Sequence, residues 1–197
     1  DIKEYNNYIS RNSNRNSAGN WTPLGPFDVP SGYNGYRGLG RVNAIAFHPT
    51  DANKFYIGAP SGGLWITNDG GQSWSTYTDI LPTLGVSSIA VDHVNPDVIY
   101  IGTGDRDAGD APGLGVWKSL DGGLTFAESN AGMGNVTVGR LLMHPDDNEI
   151  LIAATSGGIY KSTDAGQSWV RNAQGNFKEL VFKPGNPDIM YAAVGGD

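Results

Sequence analysis

The 197-residue sequence contains no cysteine, no long apolar run and no cluster of basic residues. Without cysteine, the chain has neither disulfide bonds nor thiolate metal sites. No run of about 18 apolar residues is present, so we expect no membrane span. The formal net charge is −7, from 13 basic and 20 acidic residues. Because phosphate binding needs a basic surface, we expect no nucleic acid as partner.

Glycine and aromatic residues are abundant in this chain. There are 29 Gly, nine Tyr, six Phe and five Trp, whereas glycine usually makes up about 7 % of a sequence. No collagen-like period accompanies the glycines, so they indicate many turns. Turn residues combined with β-formers predict an all-β fold.

The N-terminal part differs from the rest of the chain. Residues 1–20 are polar and rich in Asn and Ser, which is typical of a tail or linker. Residues 21–40 are rich in Gly, Pro and aromatics and lead into the first repeat. The opening residues lack the apolar stretch of a signal peptide, as expected either of a processed N-terminus or of a fragment.

From residue 41 onward the sequence repeats itself. Two apolar runs separated by a turn with Pro, Asn or Asp occur four times, and each pair predicts a β-hairpin. The first copy is VNAIAFHPTDANKFYIGAP and the second is VSSIAVDHVNPDVIYIGTG. In the alignment, one position of the second apolar run is occupied by Tyr56, Tyr100, Leu151 and Tyr191.

A third apolar run, a nine-residue motif and a short fourth segment follow each of the first three hairpins. Four strands in roughly 40–50 residues are typical of a β-propeller blade. The predicted blades span about 41–82, 83–130, 131–173 and, as a partial fourth, 174–197. Closed propellers have about 4 to 8 blades, and an open sheet edge leaves backbone groups unpaired. We therefore expect a fragment of a larger propeller, with further blades of the same polypeptide or a partner chain covering the open edge.

The repeated motif lies between the third and fourth strands and reads Ser/Thr-x-Asp-x-Gly-x-Ser/Thr-aromatic. A short carboxylate can close a turn by accepting backbone hydrogen bonds, and glycine can adopt the positive φ that such a turn requires. We therefore predict a structural role for the motif, as a connector in every blade. Its predicted residues are Thr67, Asp69, Gly71 and Trp74; Ser119, Asp121, Gly123 and Phe126; and Ser162, Asp164, Gly166 and Trp169.

This motif resembles the Asp box of bacterial-neuraminidase-type (BNR) repeats, found in sialidases, sortilin-type receptors and xyloglucan-hydrolysing glycoside hydrolases. The resemblance covers residues 41–197 and implies a β-propeller whose boxes lie on the outer rim, away from the functional face. A narrower resemblance, in NWTPLGP and the first two hairpins, is to the N-terminal propeller of large secreted bacterial proteins exported by the type IX secretion system. That resemblance implies an extracellular or cell-surface location.

Two groups of residues are candidates for ligand binding. The glycine-rich stretch SGYNGYRGLG places aromatics where they can stack on a sugar ring or a protein partner, although its tyrosines can also pack against the propeller edge. The candidates are Tyr33, Tyr36, Arg37 and Arg41. A sialidase would need an arginine cluster for the sugar carboxylate, but these arginines and Arg140 do not occupy equivalent positions, and no Arg-Ile-Pro stretch is present.

The segment GTGDRDAGDAPG is the one candidate metal site. Asp105, Asp107 and Asp110 are closely spaced on a glycine-rich loop, where carboxylate oxygens can bind Ca²⁺. The alternative is a solvated acidic loop between the second and third strands of the second blade. We expect no other cofactor.

We interpret the sequence as a secreted or cell-surface propeller that binds glycans or protein partners and has no catalytic residue of its own. One alternative is a xyloglucanase-like glycoside hydrolase, which needs two carboxylates across the scissile bond and would draw its active site partly from outside this chain. Glu179, on a predicted inner strand, is the carboxylate that stands apart from turns. A second alternative is an assembly factor or receptor for one protein partner.

Overall fold

A computed structural model of the protein describes residues 40–195. The predictions for the tail 1–20 and for residues 21–39, including Tyr33, Tyr36 and Arg37, lie outside the described residues. Residues 40–195 contain 14 β-strands and no α-helix. No membrane-spanning helix is therefore present among these residues.

The strands form four antiparallel sheets, three with four strands and one with two. In each four-stranded sheet the strands are adjacent in chain order. The first sheet contains β1 (Ala44–Phe47), β2 (Phe55–Ala59), β3 (Gly63–Thr67) and β4 (Ser75–Thr76). The second contains β5 (Val86–Val91), β6 (Ile99–Thr103), β7 (Val116–Ser119) and β8 (Ala127–Glu128). The third contains β9 (Val138–His144), β10 (Asp147–Thr155), β11 (Gly158–Ser162) and β12 (Val170–Ala173), and the fourth pairs β13 (Phe177–Lys183) with β14 (Asn186–Val194).

The predicted fold class is confirmed: the chain is all-β, with three four-stranded propeller sheets and part of a fourth. Side chains at the start of the turn stabilise the first two hairpins. The His48 imidazole accepts hydrogen bonds from the N–H groups of Thr50 and Asp51. At the same position of the second hairpin, the Asp92 carboxylate accepts from the N–H groups of Val94 and Asn95.

The alignment of the second strands was wrong by one residue in the third repeat. Tyr56 pairs with Ile66 and Tyr100 with Lys118, and the residue paired with the matching Lys161 is Ile152, not Leu151. Both residues belong to one apolar run, so hydrophobicity alone does not distinguish the two registers. Strand pairing decides between them, because a one-residue shift moves a side chain to the opposite face of the sheet.

The cores lie between consecutive sheets. We call the side of a sheet that contacts the next sheet in chain order its outgoing face, and the opposite side its incoming face. Each interface joins an outgoing face to the following incoming face through apolar side chains. Representative buried members of the three interfaces are Tyr56 with Ile99 and Ile101, Tyr100 with Leu141 and Leu151, and Ile152 with Leu180.

Candidate functional site

The sheets converge at their first strands. Strand β1 contacts β5, β5 contacts β9 and β9 contacts β13, whereas β4, β8 and β12 mainly contact the third strands of their own sheets. In a propeller, blades are arranged around a central channel, so the first strands are those nearest the axis. Side chains at the ends of these strands therefore share one axial surface.

The loop between β6 and β7, residues 104–115, carries a buried carboxylate to this surface. The side chain of Asp105 is fully buried, and its Oδ2 lies 2.5 Å from Nη2 of Arg41, just before β1. The same carboxylate accepts hydrogen bonds from the N–H groups of Asp107, Ala108 and Asp110, each at 3.2 Å. Asp105 therefore shapes the loop and connects it to the first sheet.

Burial and hydrogen bonding have opposite effects on the pKa of Asp105. Burial raises the pKa of a carboxyl group, but the hydrogen bonds from the N–H groups of Asp107 and Asp110, and then from Arg41 and Asn43, outweigh it. Together they hold the pKa of Asp105 at about 2. This carboxylate is charged at any pH near neutrality.

The three aspartates of this loop face arginines. Asp110 lies 3.6 Å from Arg41, and Asp107 lies 3.6 Å from Arg106. Residues 40–195 contain no group of three or more His, Cys, Asp or Glu side chains placed to hold a metal ion. Asp105, Asp107 and Asp110 do not form such a group in this arrangement, and calcium binding by these residues stays a prediction.

The other side of the loop reaches the third and fourth sheets. Nη1 of Arg106 donates a hydrogen bond of 2.9 Å to the carbonyl of Gly139 in β9 and lies 3.6 Å from Oε2 of Glu179 in β13. The Lys178 ammonium group donates to the Arg106 carbonyl. One loop of the second sheet thus contacts the segment before β1 and the first strands β9 and β13.

A further ion pair joins neighbouring first strands directly. Nε of Arg140 in β9 lies 3.2 Å from Oε1 of Glu179 in β13, and each side chain is nearly half exposed. We call the whole group the axial cluster and define it as Arg41, Asp105, Arg106, Asp107, Asp110, Arg140, Lys178 and Glu179. Its basic and acidic side chains are equal in number, so it presents fixed donors and acceptors without a net charge.

The Asp boxes form closed local networks. In the first box, the Thr67 hydroxyl donates to Oδ1 of Asp69 and accepts from the N–H of Gly71, each at 2.8 Å. The Asp69 carboxylate also accepts from the N–H and the hydroxyl of Ser73, at 2.9 and 2.6 Å. The same set of bonds recurs in the second box and in the third.

These hydrogen bonds lower the pKa of the aspartate in each box. The pKa of Asp69 is lowered to about 2. The hydrogen bond from the Ser73 hydroxyl contributes most to this shift, followed by the hydrogen bond from the Ser73 N–H. Equivalent bonds, again led by the hydroxyl, lower the pKa to about 2 in Asp121 and Asp164. Every box carboxylate is bonded within its own loop, which is the geometry that a structural role requires.

The third box also contacts the second sheet. The Trp169 indole N–H donates to the Ser129 carbonyl at 2.7 Å. The Tyr100 hydroxyl and the Lys118 ammonium group both donate to the carbonyl of Ala165, each at 2.9 Å. Burial of Lys118 lowers its pKa. An Asp box therefore helps to join its own blade to the preceding one.

A cavity lies near this contact and away from the axial cluster. It has a volume of about 460 Å³ and runs between the Lys118–Ala131 segment and the third box at Ala165–Gln167. Its polar groups are already hydrogen-bonded to the protein at Lys118 and Ser129. The cavity brings together no carboxylate pair and no nucleophile with a base.

The sequence located part of the axial cluster. Of the predicted ligand-binding residues, only Arg41 lies among the described residues, where it pairs with Asp105. Glu179 stood out because it interrupts a predicted inner strand. Sequence analysis missed Arg106 and Lys178, because their hydrogen-bond partners lie 33 and 72 residues away along the chain. No local sequence pattern predicts such distant contacts.

No protein-family profile matches the sequence. Among curated proteins, the chain is similar to the xyloglucanase Xgh74A of Acetivibrio thermocellus, with 30 % identity over 147 residues, covering 67 % of this chain and 18 % of the relative. It is also similar to a xyloglucanase of Hypocrea jecorina, with 30 % identity over 180 residues, covering 79 % of this chain and 20 % of the relative. The chain thus spans about a fifth of the length of these curated relatives.

Solved structures show the same architecture. An ancestral GH74 enzyme superposes with a TM-score of 0.66 at 26 % identity, over 77 % of this chain and 22 % of the other. A structure of YCF48 bound to D1 peptide has a TM-score of 0.53 at 18 % identity, over 75 % of this chain and 46 % of the other. These are β-propellers, and this chain has the fold of a propeller segment.

Proposed function

We propose that this chain is part of a β-propeller scaffold that binds a glycan at the axial cluster. The observation that carries the proposal is the loop of residues 104–115, which the buried Asp105 and the Arg106 contacts fix across the axial ends of other sheets. A surface fixed in this way loses little conformational entropy when a ligand binds. Recognition through loops on a rigid scaffold is common among such folds.

The chemistry of the cluster suits a polyhydroxylated ligand. Guanidinium groups donate hydrogen bonds in a planar fork and carboxylates only accept them, so Arg140 beside Glu179 offers both to neighbouring sugar hydroxyls. The curated relatives are named as xyloglucanases, which supports a polysaccharide as ligand and makes xyloglucan the first probe. A protein partner is the other class of ligand for this scaffold, and a receptor or assembly role is the corresponding alternative.

Hydrolysis of the glycan is the main alternative function, favoured by the xyloglucanase relatives. Glycosidases need a carboxylic acid that stays protonated near neutral pH and a second carboxylate. The carboxyl groups with shifted pKa values among the described residues are all lowered, which disfavours them as that acid. Under this alternative, the active site would lie partly outside this chain.

The remaining proposals concern location and organisation. We propose a secreted or cell-surface protein that is a cargo of the type IX secretion system, on the basis of the resemblance within residues 20–105 and of the xyloglucanase relatives. We also propose the blade limits 41–82, 83–130, 131–173 and 174–197, and a structural role for the Asp boxes. Cell fractionation with and without a functional secretion system tests the location.

Titration of the complete protein with xyloglucan by calorimetry tests the proposed function. Arg140→Gln should weaken binding, because it removes a donor of the axial cluster, and Arg171→Gln on the exposed strand β12 is the matched control. Binding without release of sugars supports the scaffold. Release of oligosaccharides would favour the hydrolase, and binding that is equally insensitive to both variants would refute the axial site.

A further inference from the structure

A second, smaller cleft lies between the first and second sheets. It has a volume of about 160 Å³. Residues in and next to β3 and β4 line one side, and the β5–β6 turn and the second Asp box line the other. Lys54, which follows β1, also lines the cleft, whereas Arg41 of the axial cluster precedes β1. The cleft therefore lies at the opposite end of the strands from the axial cluster.

The cleft combines an exposed aromatic ring with polar groups that have no partner in this part of the protein. Tyr77 is 46 % exposed and shares the cleft with Lys54, Asn68 and Asp97. The Asp97 carbonyl accepts a hydrogen bond of 2.9 Å from the Gly122 N–H, which fixes this turn against the second Asp box. Among residues 40–195, the side chains of Lys54, Asn68 and Asp97 form no hydrogen bond. They offer a cation, an amide and a carboxylate to a ligand.

The corresponding place between the second and third sheets is built from different residues. By the pairing of β3 with β4 and of β7 with β8, Ser129 takes the place of Tyr77. The Ser129 hydroxyl donates to the carbonyl of Gly166 at 2.7 Å, so it is already used within the protein. Leu120 takes the place of Asn68 in the second Asp box. The exposed tyrosine and the amide are therefore specific to the first interface and are not required by the propeller repeat.

We propose that this cleft is a second glycan-binding site, which takes one ring of a neutral sugar chain. An aromatic side chain accompanied by a few polar groups is the usual lining of a small-molecule site, and tyrosine combines an apolar ring with a polar tip. The carboxylates of Asp97 and Asp121 line the cleft with a single cation, Lys54. An acidic sugar would therefore meet like charge, which is costly. The site goes beyond the proposed function and does not depend on the axial cluster.

Calorimetric titration of the complete protein with cellotetraose, a neutral oligosaccharide, tests this site. The titration is made in the Arg140→Gln variant, in which the axial cluster lacks a donor, so that the two sites fail or succeed separately. Adding Tyr77→Ala should weaken the remaining binding about tenfold, because it removes the ring on which the sugar packs. Asp97→Asn should weaken it less, because the amide keeps one acceptor. Asp79→Asn, at an exposed aspartate outside the cleft, is the matched control and should leave the affinity unchanged.

Two further measurements examine the chemistry of the site. Tyr77→Phe keeps the ring and should retain most of the affinity that Tyr77→Ala loses. Tetragalacturonate, which carries carboxylates, should bind more weakly than cellotetraose. The proposal is overturned if cellotetraose does not bind in the Arg140→Gln variant, if Tyr77→Ala leaves its affinity unchanged, or if tetragalacturonate binds more tightly.

Discussion

The guanidinium group of Arg41 lies 2.5 Å from the carboxylate of Asp105, whose side chain is completely buried. The two residues are 64 positions apart and join the first sheet to the axial loop of the second. A buried carboxylate is tolerated when charged or polar donors surround it. This pair therefore connects the stability of the fold to the shape of the proposed binding surface.

Replacing Arg41 by Gln should destabilise the protein. The substitution leaves the Asp105 carboxylate buried with its N–H donors but without its cation, which we expect to cost about 1.5–3 kcal/mol, the usual range for a hydrogen bond to a charged group. Urea unfolding measures the loss. Arg171→Gln, on an exposed strand, should change stability by less than about 0.5 kcal/mol, and equal effects of the two variants would contradict a special role for the pair.

Stability should fall in acid. Asp69, Asp105, Asp121 and Asp164 have pKa values of about 2 in the folded protein, against an ordinary value of 3.8. A lowered pKa in the folded state adds stability above the unfolded pKa, and this contribution is lost as the pH falls through the folded pKa. The free energy of unfolding should therefore decline between about pH 4 and pH 2. Asp164→Asn should reduce the steepness of this decline, and an unchanged slope would contradict the assignment.

Ala165→Gly should stabilise the third Asp box. Ala165 has a φ of 54°, whereas glycines occupy the same position in the other boxes, Gly70 with a φ of 72° and Gly122 with a φ of 74°. A left-handed backbone costs a residue with a Cβ atom about 1 kcal/mol, and glycine avoids this cost. The melting temperature should rise for Ala165→Gly and fall for Gly122→Ala. A fall in both variants would show that backbone strain at Ala165 is unimportant.

Gly102→Ala should disturb the interface between the second and third sheets. A Cβ atom at Gly102 would lie 2.5 Å from a methyl group of Val138, in a place where the sheets approach closely. Overpacking of this kind costs about 1–3 kcal/mol. Gly40→Ala is the control, since a Cβ atom there meets no atom of residues 40–195 within 4 Å. Comparable unfolding midpoints for both variants would exclude tight packing at Gly102.

Several features of the fold could be predicted because they depend on neighbouring residues. The hairpins followed from apolar runs broken by turns such as the one capped by His48. The position of Ile152 did not follow, because Leu151 is equally apolar and only the pairing with Lys161 and Ser162 distinguishes the two. The surroundings of Asp105, Asp107 and Asp110 did not follow for a related reason: the loop sequence shows three carboxylates but not the arginines that approach them, and calcium binding there stays a prediction.

The sequence by itself determined the repeated sheets and the Asp-box turns, since a box aspartate bonds to groups two to four residues away. Such contacts form wherever the local backbone allows them. Only the tertiary structure decided the axial cluster, in which Arg106 finds Gly139 and Lys178 finds Arg106 across sheets. Those groups meet because the apolar faces of consecutive sheets pack and bring their first strands together. No local pattern in the sequence shows which residues of different sheets this packing brings into contact.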